Sequence, residues 1–442
     1  MKLHIENKKI VDEYGKLFFF TADTAWELFH KLSVEEAKLF IDNRADKGFN
    51  VIQAVAVAEL DGLKTPAKAN GEVPFSDLEN LVINEKYFEH VKSIIKYANQ
   101  KGIFIALVPM WGSYFVENPE WGGKVKTVFD AYKAHDFLLY LSDKLSDCDV
   151  IWILGGDRPY LTAESKDVMD SMARAIRQNC GKTQLITAHT QGGRSIYDML
   201  DGADWLDFVA WQSGHMGECY PSWRNTKSDY ERLTIPVLDA EPCYESHPIM
   251  NEYSFTVKEC GARFTDYHVR RSSYWSVFSG GCGITYGCYG IWQMRQESDD
   301  NMDIPESAAS AYKNDRIPYW HDSVNFPGAF QIGYLRKFIE SLPNNIDIYP
   351  DDSLILSDNP TDDGHMAAMT NRQHDFIAVY VPKKTNLCVD ISMFEGRGFS
   401  ISWFDPRYNI KNFLSDSSSE TKFLNITSPQ SSNDYVLLLT RK

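Results

Sequence analysis

The segment Val150-Ile-Trp-Ile-Leu-Gly-Gly-Asp-Arg-Pro159 decides the fold class of this chain. Its five apolar residues form a run short enough to be a strand that is buried on both faces. The two glycines allow a sharp turn, and Asp157 and Arg158 follow before the proline. A hydrophobic strand that delivers a carboxylate to the next loop is typical of a parallel barrel, whose functional groups lie at the C-terminal ends of its strands.

A second segment, Ile235-Pro-Val-Leu-Asp-Ala-Glu-Pro-Cys-Tyr-Glu245, has the same arrangement and predicts a buried strand that leads to Glu241. Glycosidic bonds are split by two carboxyl groups, of which one protonates the leaving oxygen and the other attacks or activates water. We therefore predict that Asp157 is the general acid/base and Glu241 the nucleophile. Asp239 and Glu245 are alternatives to Glu241, although Asp239 is expected inside the strand and Glu245 further along the loop.

Six more segments repeat the pattern of a short apolar run that ends in polar or aromatic residues. They cover residues 16–26, 49–57, 103–108, 185–188, 207–212 and 283–286. Together with the two segments above they give eight strands, which alternate with helical or loop connections. A capping box at Ser33-Val-Glu-Glu36 opens the first of these helices. Eight such strands are the number that a (β/α)8 barrel requires.

The C-terminal part of the chain has a different pattern. After a helix at 328–341, short strands follow one another without helices, which indicates an antiparallel β-sandwich. These strands are predicted at 353–356, 365–369, 375–381, 387–391, 399–404, 421–425 and 435–440. The sequence therefore predicts an α/β protein with a TIM barrel domain over 1–342, which begins with a β-hairpin, and a small sandwich domain over 343–442.

Polar and aromatic residues at the predicted strand ends are candidates for the lining of a sugar site. Sugar hydroxyl groups need neutral donors and acceptors in fixed positions, which His and Gln supply, and aromatic rings can stack on sugar faces. Arg158 could bind substrate, lower the pKa of a carboxylate or form an ion pair with Asp157, which could also cap a helix. The predicted substrate-binding residues are Asp23, Trp26, Glu59, Trp111, Arg158, His189, Gln191, Gln212, His215, Tyr244, Tyr286 and Trp292.

We expect no metal, no cofactor and no cysteine nucleophile. Histidines with nearby acids could form a metal site, but the chain has no HExxH motif and no closely spaced histidine pair. The eight cysteines include no CxxC pair, and free thiols are the simplest interpretation. Cys243 precedes His247 by four residues without an activating pattern, so a packed, inert thiol is expected there.

Composition restricts the partners and the compartment. A 442-residue chain with 43% hydrophobic and 24% charged residues fits a globular barrel and a small second domain. Its formal charge of −16, without a basic stripe, argues against nucleic acid or an anionic membrane as a partner. The N-terminus has no apolar segment typical of a signal peptide, and no stretch reaches membrane-spanning length. We therefore expect a cytoplasmic protein, or an exported one if a signal peptide has been removed; the oligomeric state is not predicted.

Several motifs resemble glycoside hydrolase family 140, the apiosidase-like enzymes. They lie at 21–30, 47–53, 151–159, 238–245, 274–278 and 402–407, and the resemblance extends from about residue 8 to 440. It implies a (β/α)8 barrel with a C-terminal β-sandwich, and hydrolysis of apiose linkages in pectin side chains or apiosylated glycosides. The family's catalytic aspartate and glutamate would fall on Asp157 and Glu241. The label of collagen binding that the family's C-terminal domain often carries has no support in these residues.

Two other functions remain open from the sequence. One is a glycosidase of the same fold for another sugar, which turnover of a panel of aryl glycosides would distinguish. The other is a non-catalytic carbohydrate-binding barrel, which would bind a sugar without turnover and be indifferent to Asp157→Asn. The arrangement on the fourth and seventh strands favours a retaining mechanism, for which the two carboxyl groups would be about 5–5.5 Å apart.

Overall fold

The computed structural model of the chain describes residues 1–60, 62–117, 127–251, 262–301, 317–418, 421–429 and 433–442. The chain begins with the predicted antiparallel hairpin, formed by β1 (Leu3–Glu6) and β2 (Lys9–Asp12). A second small hairpin, β5 (Phe75–Asp77) and β6 (Val82–Ile83), interrupts the long loop that follows the second barrel strand.

Eight parallel strands form a nearly closed barrel. They are β3 (Phe20–Thr24), β4 (Val51–Val57), β7 (Phe104–Met110), β8 (Val150–Gly155), β9 (Ile186–His189), β10 (Val209–Trp211), β11 (Val237–Asp239) and β12 (Gly283–Tyr286). Their order is β10-β11-β12-β3-β4-β7-β8-β9. Across the remaining gap, the backbone N–H of Asp207 donates to the Ile186 carbonyl at 2.9 Å, and the Thr187 hydroxyl donates to the Phe208 carbonyl at 2.7 Å. The TIM barrel predicted from the sequence is therefore confirmed.

Helices surround this barrel and connect its strands. They are α1 (Leu28–Lys31), α2 (Val34–Lys47), α3 (Glu85–Gln100), α4 (Ala131–Lys144), α5 (Ala163–Cys180), α6 (Ile196–Met199), α7 (Ser222–Arg232), α8 (Asp266–Phe278), α9 (Tyr289–Trp292), α10 (Trp320–Ser323) and α11 (Pro327–Ser341). At the start of α2, the Glu36 backbone donates to the Ser33 hydroxyl and the Ser33 backbone donates to the Glu36 carboxylate. The predicted capping box is thus present, and α2 ends at Gly48 with a φ of +89°.

The C-terminal region contains two antiparallel sheets. Its strands are β13 (Ile348–Pro350), β14 (Ala367–Asn371), β15 (Phe376–Val381), β16 (Asn386–Asp390), β17 (Gly398–Asp405), β18 (Ile410–Ser418), β19 (Phe423–Thr427) and β20 (Tyr435–Arg441). Six of them form a sheet in the order β13-β14-β15-β20-β17-β18, and β16 pairs with β19. The sequence did not predict β13 or β18. The strand expected at 353–356 is wrong in part, because Asp352–Leu354 forms a 3-10 helix.

The six-stranded sheet separates two hydrophobic cores, as the alternation of side chains along β15 shows. Phe376, Ala378 and Tyr380 pack into the core that continues into the barrel. Ile377, Val379 and Val381 face the opposite way and pack with Leu387 and Val389 of β16. One face of the sheet therefore covers the barrel helices, and the other is covered by the two-stranded sheet.

A buried ion pair joins the barrel to the C-terminal sheets. Arg270 of α8 donates from Nε to the Asp434 carboxylate at 2.9 Å, and Tyr380 donates its hydroxyl proton to the same carboxylate at 3.1 Å. The side chains of Arg270 and Asp434 are 2% and 0% exposed. Tyr274 of α8 stacks on Tyr380 with ring centroids 4.8 Å apart. The two regions thus share a polar contact enclosed by aromatic rings.

The cysteines of the described ranges are free thiols, and Cys260 lies outside these ranges. None of the described helices has the length and apolar composition needed to cross a membrane.

Candidate active site

The mouth of the barrel collects side chains from the ends of several strands. Asp157 lies two residues beyond β8, and Glu241 lies two residues beyond β11. His189 is the last residue of β9, and His215 follows β10 by four residues. Because parallel strands all point the same way, these four side chains meet at one end of the barrel.

Glu241 is held by two histidines. Its Oε2 lies 3.0 Å from His189 Nε2, and its Oε1 lies 3.3 Å from His215 Nε2. Burial alone would raise the pKa of Glu241, but its hydrogen bonds to the two histidines outweigh this effect and hold the pKa well below its usual range. The same hydrogen bond outweighs the effect of burial on His189, whose pKa is raised. The arrangement therefore favours an ionised Glu241.

The position of the proton on His215 follows from its other contacts. The backbone N–H of Tyr244 donates to His215 Nδ1 at 3.4 Å, so the proton of the neutral ring lies on Nε2 and points at Glu241. His247 stacks on the same ring, with centroids 4.1 Å apart. Burial lowers the pKa of His247 well below its usual value. His247 is therefore a neutral support for the ring of His215.

Asp157 is half-buried and has the opposite electrostatic character. Burial raises the pKa of Asp157 to about 6, and the negative charge of Glu241 acts in the same direction. The charges of His189 and Arg158 oppose this rise without cancelling it. A carboxyl group with this pKa can release and take up a proton near neutral pH, which general acid/base chemistry requires.

Glycine at position 155 permits the turn that presents Asp157. Its φ is +88°, and an added Cβ would lie 2.3 Å from the hydroxyl oxygen of Tyr160. The same hydroxyl donates to the Gly156 carbonyl at 2.8 Å, which fixes the turn. Gly156 is equally enclosed, since an added Cβ would lie 2.8 Å from the Trp111 ring. The glycine pair is therefore required by close packing as well as by backbone conformation.

Two tryptophans form a wall beside His189. The ring centroids of Trp26 and Trp111 are 5.5 Å apart, and Trp26 meets the His189 ring edge-on at 5.5 Å. Both tryptophans are almost completely buried, so they pack against the residues of the site and contribute little to its exposed surface. The structure thus brings these predicted residues together.

Glu59 and Arg158 lie on the same side of the mouth. Glu59, two residues beyond β4, is half-buried. Burial raises the pKa of Glu59 to about 7 against the opposing charge of Arg158, while the charges of Asp157 and Glu241 add to the rise. Arg158 is 2% exposed and donates from Nη1 to the backbone carbonyl of Asp157 at 2.7 Å. The ion pair considered between the side chains of Arg158 and Asp157 is therefore replaced by a bond to the backbone.

The four other predicted residues lie in the segments that follow the barrel strands β9 to β12. Gln191 lies two residues beyond β9 and is half-buried, as is Trp292 at the end of α9. Gln212 is nearly buried next to Gly192. The ring of Tyr244 packs directly against Gly287, and burial together with the charge of Glu241 raises the pKa of Tyr244 well above its usual value.

The structure does not place Asp23 or Tyr286 on the substrate surface. Asp23 is completely buried and forms an ion pair with Arg44 of α2. Tyr286 is also completely buried and donates its hydroxyl proton to Glu245 at 2.7 Å. Both polar groups are occupied inside the barrel wall, so the structure corrects the expectation that they bind substrate.

The two alternatives to Glu241 are also occupied elsewhere. Asp239 is completely buried and accepts hydrogen bonds from the hydroxyls of Ser213 at 2.8 Å and Ser276 at 3.1 Å. Glu245 accepts a hydrogen bond from the backbone N–H of Gly328 at 3.0 Å, near the start of α11. Among the three acids of this segment, Glu241 is thus the one that both histidines contact.

Sequence analysis assigned His189 and His215 to sugar binding and did not foresee their contact with Glu241. The only signal was that both follow barrel strands, which does not fix the side-chain directions. Across the residues that the structure describes, no group of three or more His, Cys, Asp or Glu side chains is arranged to hold a metal ion.

Comparisons with known proteins concern the family and the fold of the chain. The model of the apiosidase-like catalytic domain matches residues 5–345, and the model described as "Putative collagen-binding domain of a collagenase" matches residues 349–440. A solved structure described as a glycoside hydrolase is 26% identical with a TM-score of 0.83, covering 99% of this chain and 96% of its own. A family 5 glycoside hydrolase from Bacteroides vulgatus is 25% identical with a TM-score of 0.84, covering 99% and 92%. No curated protein matches this chain.

The apiosidase-like model covers the complete barrel, from the first hairpin to the end of α11. It includes every residue of the mouth described above. The resemblance to glycoside hydrolase family 140 that the sequence motifs indicated is therefore confirmed. The chain belongs to the apiosidase-like family of glycoside hydrolases.

Proposed function

We propose that this glycoside hydrolase removes a terminal or near-terminal pentose, with apiose in plant pectin side chains or apiosylated glycosides as the substrate. Membership of the apiosidase-like family supports the sugar. The observation that carries the mechanism is the contrast in the surroundings of two neighbouring carboxyl groups: two histidines contact Glu241 and hold its pKa low, whereas burial raises the pKa of Asp157 to about 6. Carboxyl groups with pKa values pushed apart in this way divide into a nucleophile and an acid.

In the first step, Glu241 attacks the anomeric carbon of the sugar while Asp157 donates its proton to the departing glycosidic oxygen. The C–O bond to the leaving group breaks, and an ester forms between the sugar and Glu241. His189 and His215 hold the attacking carboxylate in one orientation through both of its oxygens. This contact reduces the motion that attack would otherwise have to restrict.

In the second step, Asp157 takes a proton from water, and the water oxygen attacks the anomeric carbon and releases Glu241. Formation of the ester removes the negative charge of Glu241, which is one of the causes of the raised pKa of Asp157. The pKa of Asp157 therefore falls when the ester forms, so that the acid of the first step becomes the base of the second. Two displacements at one carbon retain the anomeric configuration.

The sugar preference is tested with a panel of nitrophenyl glycosides that includes the apioside, xyloside, arabinofuranoside and glucoside. The expected result is a kcat/KM for the apioside at least about a hundredfold above the others, as a site built around specific hydroxyl contacts provides. Equal or better turnover of another glycoside would contradict apiose as the preferred sugar. Binding of the sugars without turnover would favour a carbohydrate-binding barrel. Proton NMR of the first product distinguishes retention from inversion.

A further inference from the structure

A buried ion pair lies behind the loop that carries Glu59. His30 Nδ1 is 2.9 Å from Glu27 Oε2, and the two side chains are 3% and 0% exposed. Glu27 immediately precedes α1, and His30 belongs to that helix. In the part of the chain that the structure describes, neither Glu27 nor His30 forms a hydrogen bond with Asp157 or Glu241. The catalytic steps proposed for Asp157 and Glu241 do not use this ion pair.

The pair holds the loop after β4 at two points. The backbone N–H of Leu60 donates to Glu27 Oε1 at 3.1 Å, and His30 Nε2 is 3.0 Å from the carbonyl oxygen of Thr65. Leu60 is the residue directly after Glu59, so the first bond fixes the backbone next to the Glu59 side chain. The second bond fixes the loop five residues further on. We refer to Glu27 and His30 as the loop clasp.

The geometry of the clasp demands a charged histidine. One ring nitrogen of His30 faces a carboxylate oxygen and the other faces a carbonyl oxygen, and both are acceptors. A neutral imidazole has one N–H and satisfies one of them, whereas an imidazolium satisfies both. Burial lowers the pKa of His30, but the hydrogen bond and charge of Glu27 outweigh it and the pKa is raised. Loss of either partner would leave a buried charge or an unmade hydrogen bond at one of the two points where the pair contacts the loop.

We infer that Glu27 and His30 are positioning residues that hold Glu59 against the sugar beside Asp157. This inference rests on the proposed function and adds a third carboxyl group to the site. Glu59 is suited to the task because it is half-buried at the mouth and lies in the electrostatic field of Asp157, Glu241 and Arg158. With a pKa near 7, its carboxyl group can donate to one sugar hydroxyl or accept from another.

The first test is His30→Gln, with His365→Gln as the matched control. Glutamine retains one N–H donor but removes the charge and the second bond. His365 is also buried and one of its ring nitrogens also faces a backbone carbonyl, that of Pro360 at 2.9 Å, but it lies just before β14 in the C-terminal region. We expect His30→Gln to raise KM about tenfold or more through a misplaced Glu59, and His365→Gln to leave KM unchanged even if it lowers the melting temperature. Equal KM values for the two variants would overturn the inference.

A double-mutant cycle separates positioning from a general structural effect. If the loop clasp acts through Glu59, then His30→Gln should have no further effect on KM in a Glu59→Ala background. Independent, additive effects would show that His30 acts by another route. A wild-type KM in the Glu59→Ala variant would show that Glu59 does not contact the sugar and would overturn the inference.

Amide hydrogen exchange tests the clasp without any activity. The Leu60 N–H is bonded to Glu27, so peptides that contain it should exchange at least about tenfold faster in Glu27→Ala and in His30→Gln than in the wild type and in His365→Gln. Unchanged exchange would overturn the inference. If no glycoside is turned over, the proposed function and the positioning role fail together, whereas faster exchange would still establish the clasp as a structural feature.

Discussion

His215 Nε2 lies 3.3 Å from Glu241 Oε1, and the backbone N–H of Tyr244 occupies the other ring nitrogen of His215 at 3.4 Å. Tyr244 is three residues beyond Glu241, so the same segment supplies both the carboxylate and the group that orients its partner. The histidine is thereby kept in the tautomer that donates to Glu241. This relationship gives a physical reason for the low pKa of Glu241 and leads to the first prediction.

Replacing His215 with alanine should raise the pKa of Glu241 and lower activity. A hydrogen bond to a charged group contributes about 1.5–3 kcal/mol, so we expect kcat/KM to fall about 10- to 100-fold at pH 6. The acidic limb of the kcat/KM profile should also move to higher pH, because protonation of Glu241 becomes easier. His321→Gln, at an exposed site, is the control. An unchanged acidic limb would contradict the electrostatic role of His215.

The wild-type enzyme should lose activity as pH rises above about 6. Asp157 must be protonated to act as the acid, and burial raises the pKa of this carboxyl group to about 6. The kcat/KM profile should therefore decline with a basic-limb pKa near this value, while the acidic limb lies much lower because the pKa of Glu241 is depressed. Initial rates between pH 3 and 9 check this. Constant kcat/KM up to pH 9 would exclude Asp157 as the acid.

The variant Asp157→Asn should be sensitive to the leaving group. Loss of a general acid costs about 10²- to 10⁴-fold for glycosides with a poor leaving group. A dinitrophenyl glycoside, whose leaving group needs no proton, should lose far less in kcat/KM. Hydrolysis rates for a series of aryl and alkyl glycosides measure the difference. An equal loss across the series would assign Asp157 to another role.

Alanine at position 155 should damage the site more than a positive φ alone explains. Gly155 and Gly71 have similar φ values, +88° and +72°, but only at Gly155 would a Cβ meet another side chain. Gly71→Ala should therefore cost only the backbone strain of about 1–3 kcal/mol. Gly155→Ala should cost more free energy of unfolding and should also reduce kcat by displacing Asp157. Denaturant unfolding and kcat of the two variants test this, and equal effects would contradict it.

Removing one partner of the buried ion pair between Arg270 and Asp434 should cost much of the free energy of unfolding. Such a change costs about 3–5 kcal/mol because the remaining charge loses its buried partner, whereas an exposed pair contributes about 0–1 kcal/mol. We expect Asp434→Asn to lower the free energy of unfolding by the larger amount. Asp201→Asn breaks the more exposed ion pair between Asp201 and Lys166 and should lower the free energy of unfolding by the smaller amount. Chemical denaturation compares them, and similar values would show that the interface tolerates the loss of charge.

Much of the fold follows from local sequence patterns. Each barrel strand is a short apolar run, and its length and flanking residues identify it before any contact is known. β18 was missed because its side chains are almost all exposed, so its sequence Ile410-Lys-Asn-Phe-Leu-Ser-Asp-Ser-Ser418 lacks the alternation of a half-buried strand. β18 is a strand because it pairs with β17. A local sequence pattern does not contain that pairing.

The position of the candidate site could be predicted from the sequence, but the contacts between its side chains could not. Asp157 and Glu241 were identified because strand ends of a parallel barrel converge. Side-chain direction at a strand end depends on the twist of the barrel and on neighbouring loops, which the sequence pattern does not contain. For that reason Asp23 proved to face Arg44 inside the wall, and the histidines proved to face Glu241. The loop clasp was missed for the same reason, because its two bonds join residues 33 and 35 positions apart in the chain.

The central claim is that Glu241 is the nucleophile of an apiose-releasing enzyme. The most direct measurement is release of apiose from an apiose-containing pectin fragment by the wild type and by Glu241→Gln, with both proteins shown to be folded by circular dichroism. We predict release by the wild type and a loss of at least about a thousandfold in the variant, since the covalent intermediate cannot form. Release that survives the substitution would contradict the assignment of Glu241, and no release by the wild type would contradict the proposed substrate.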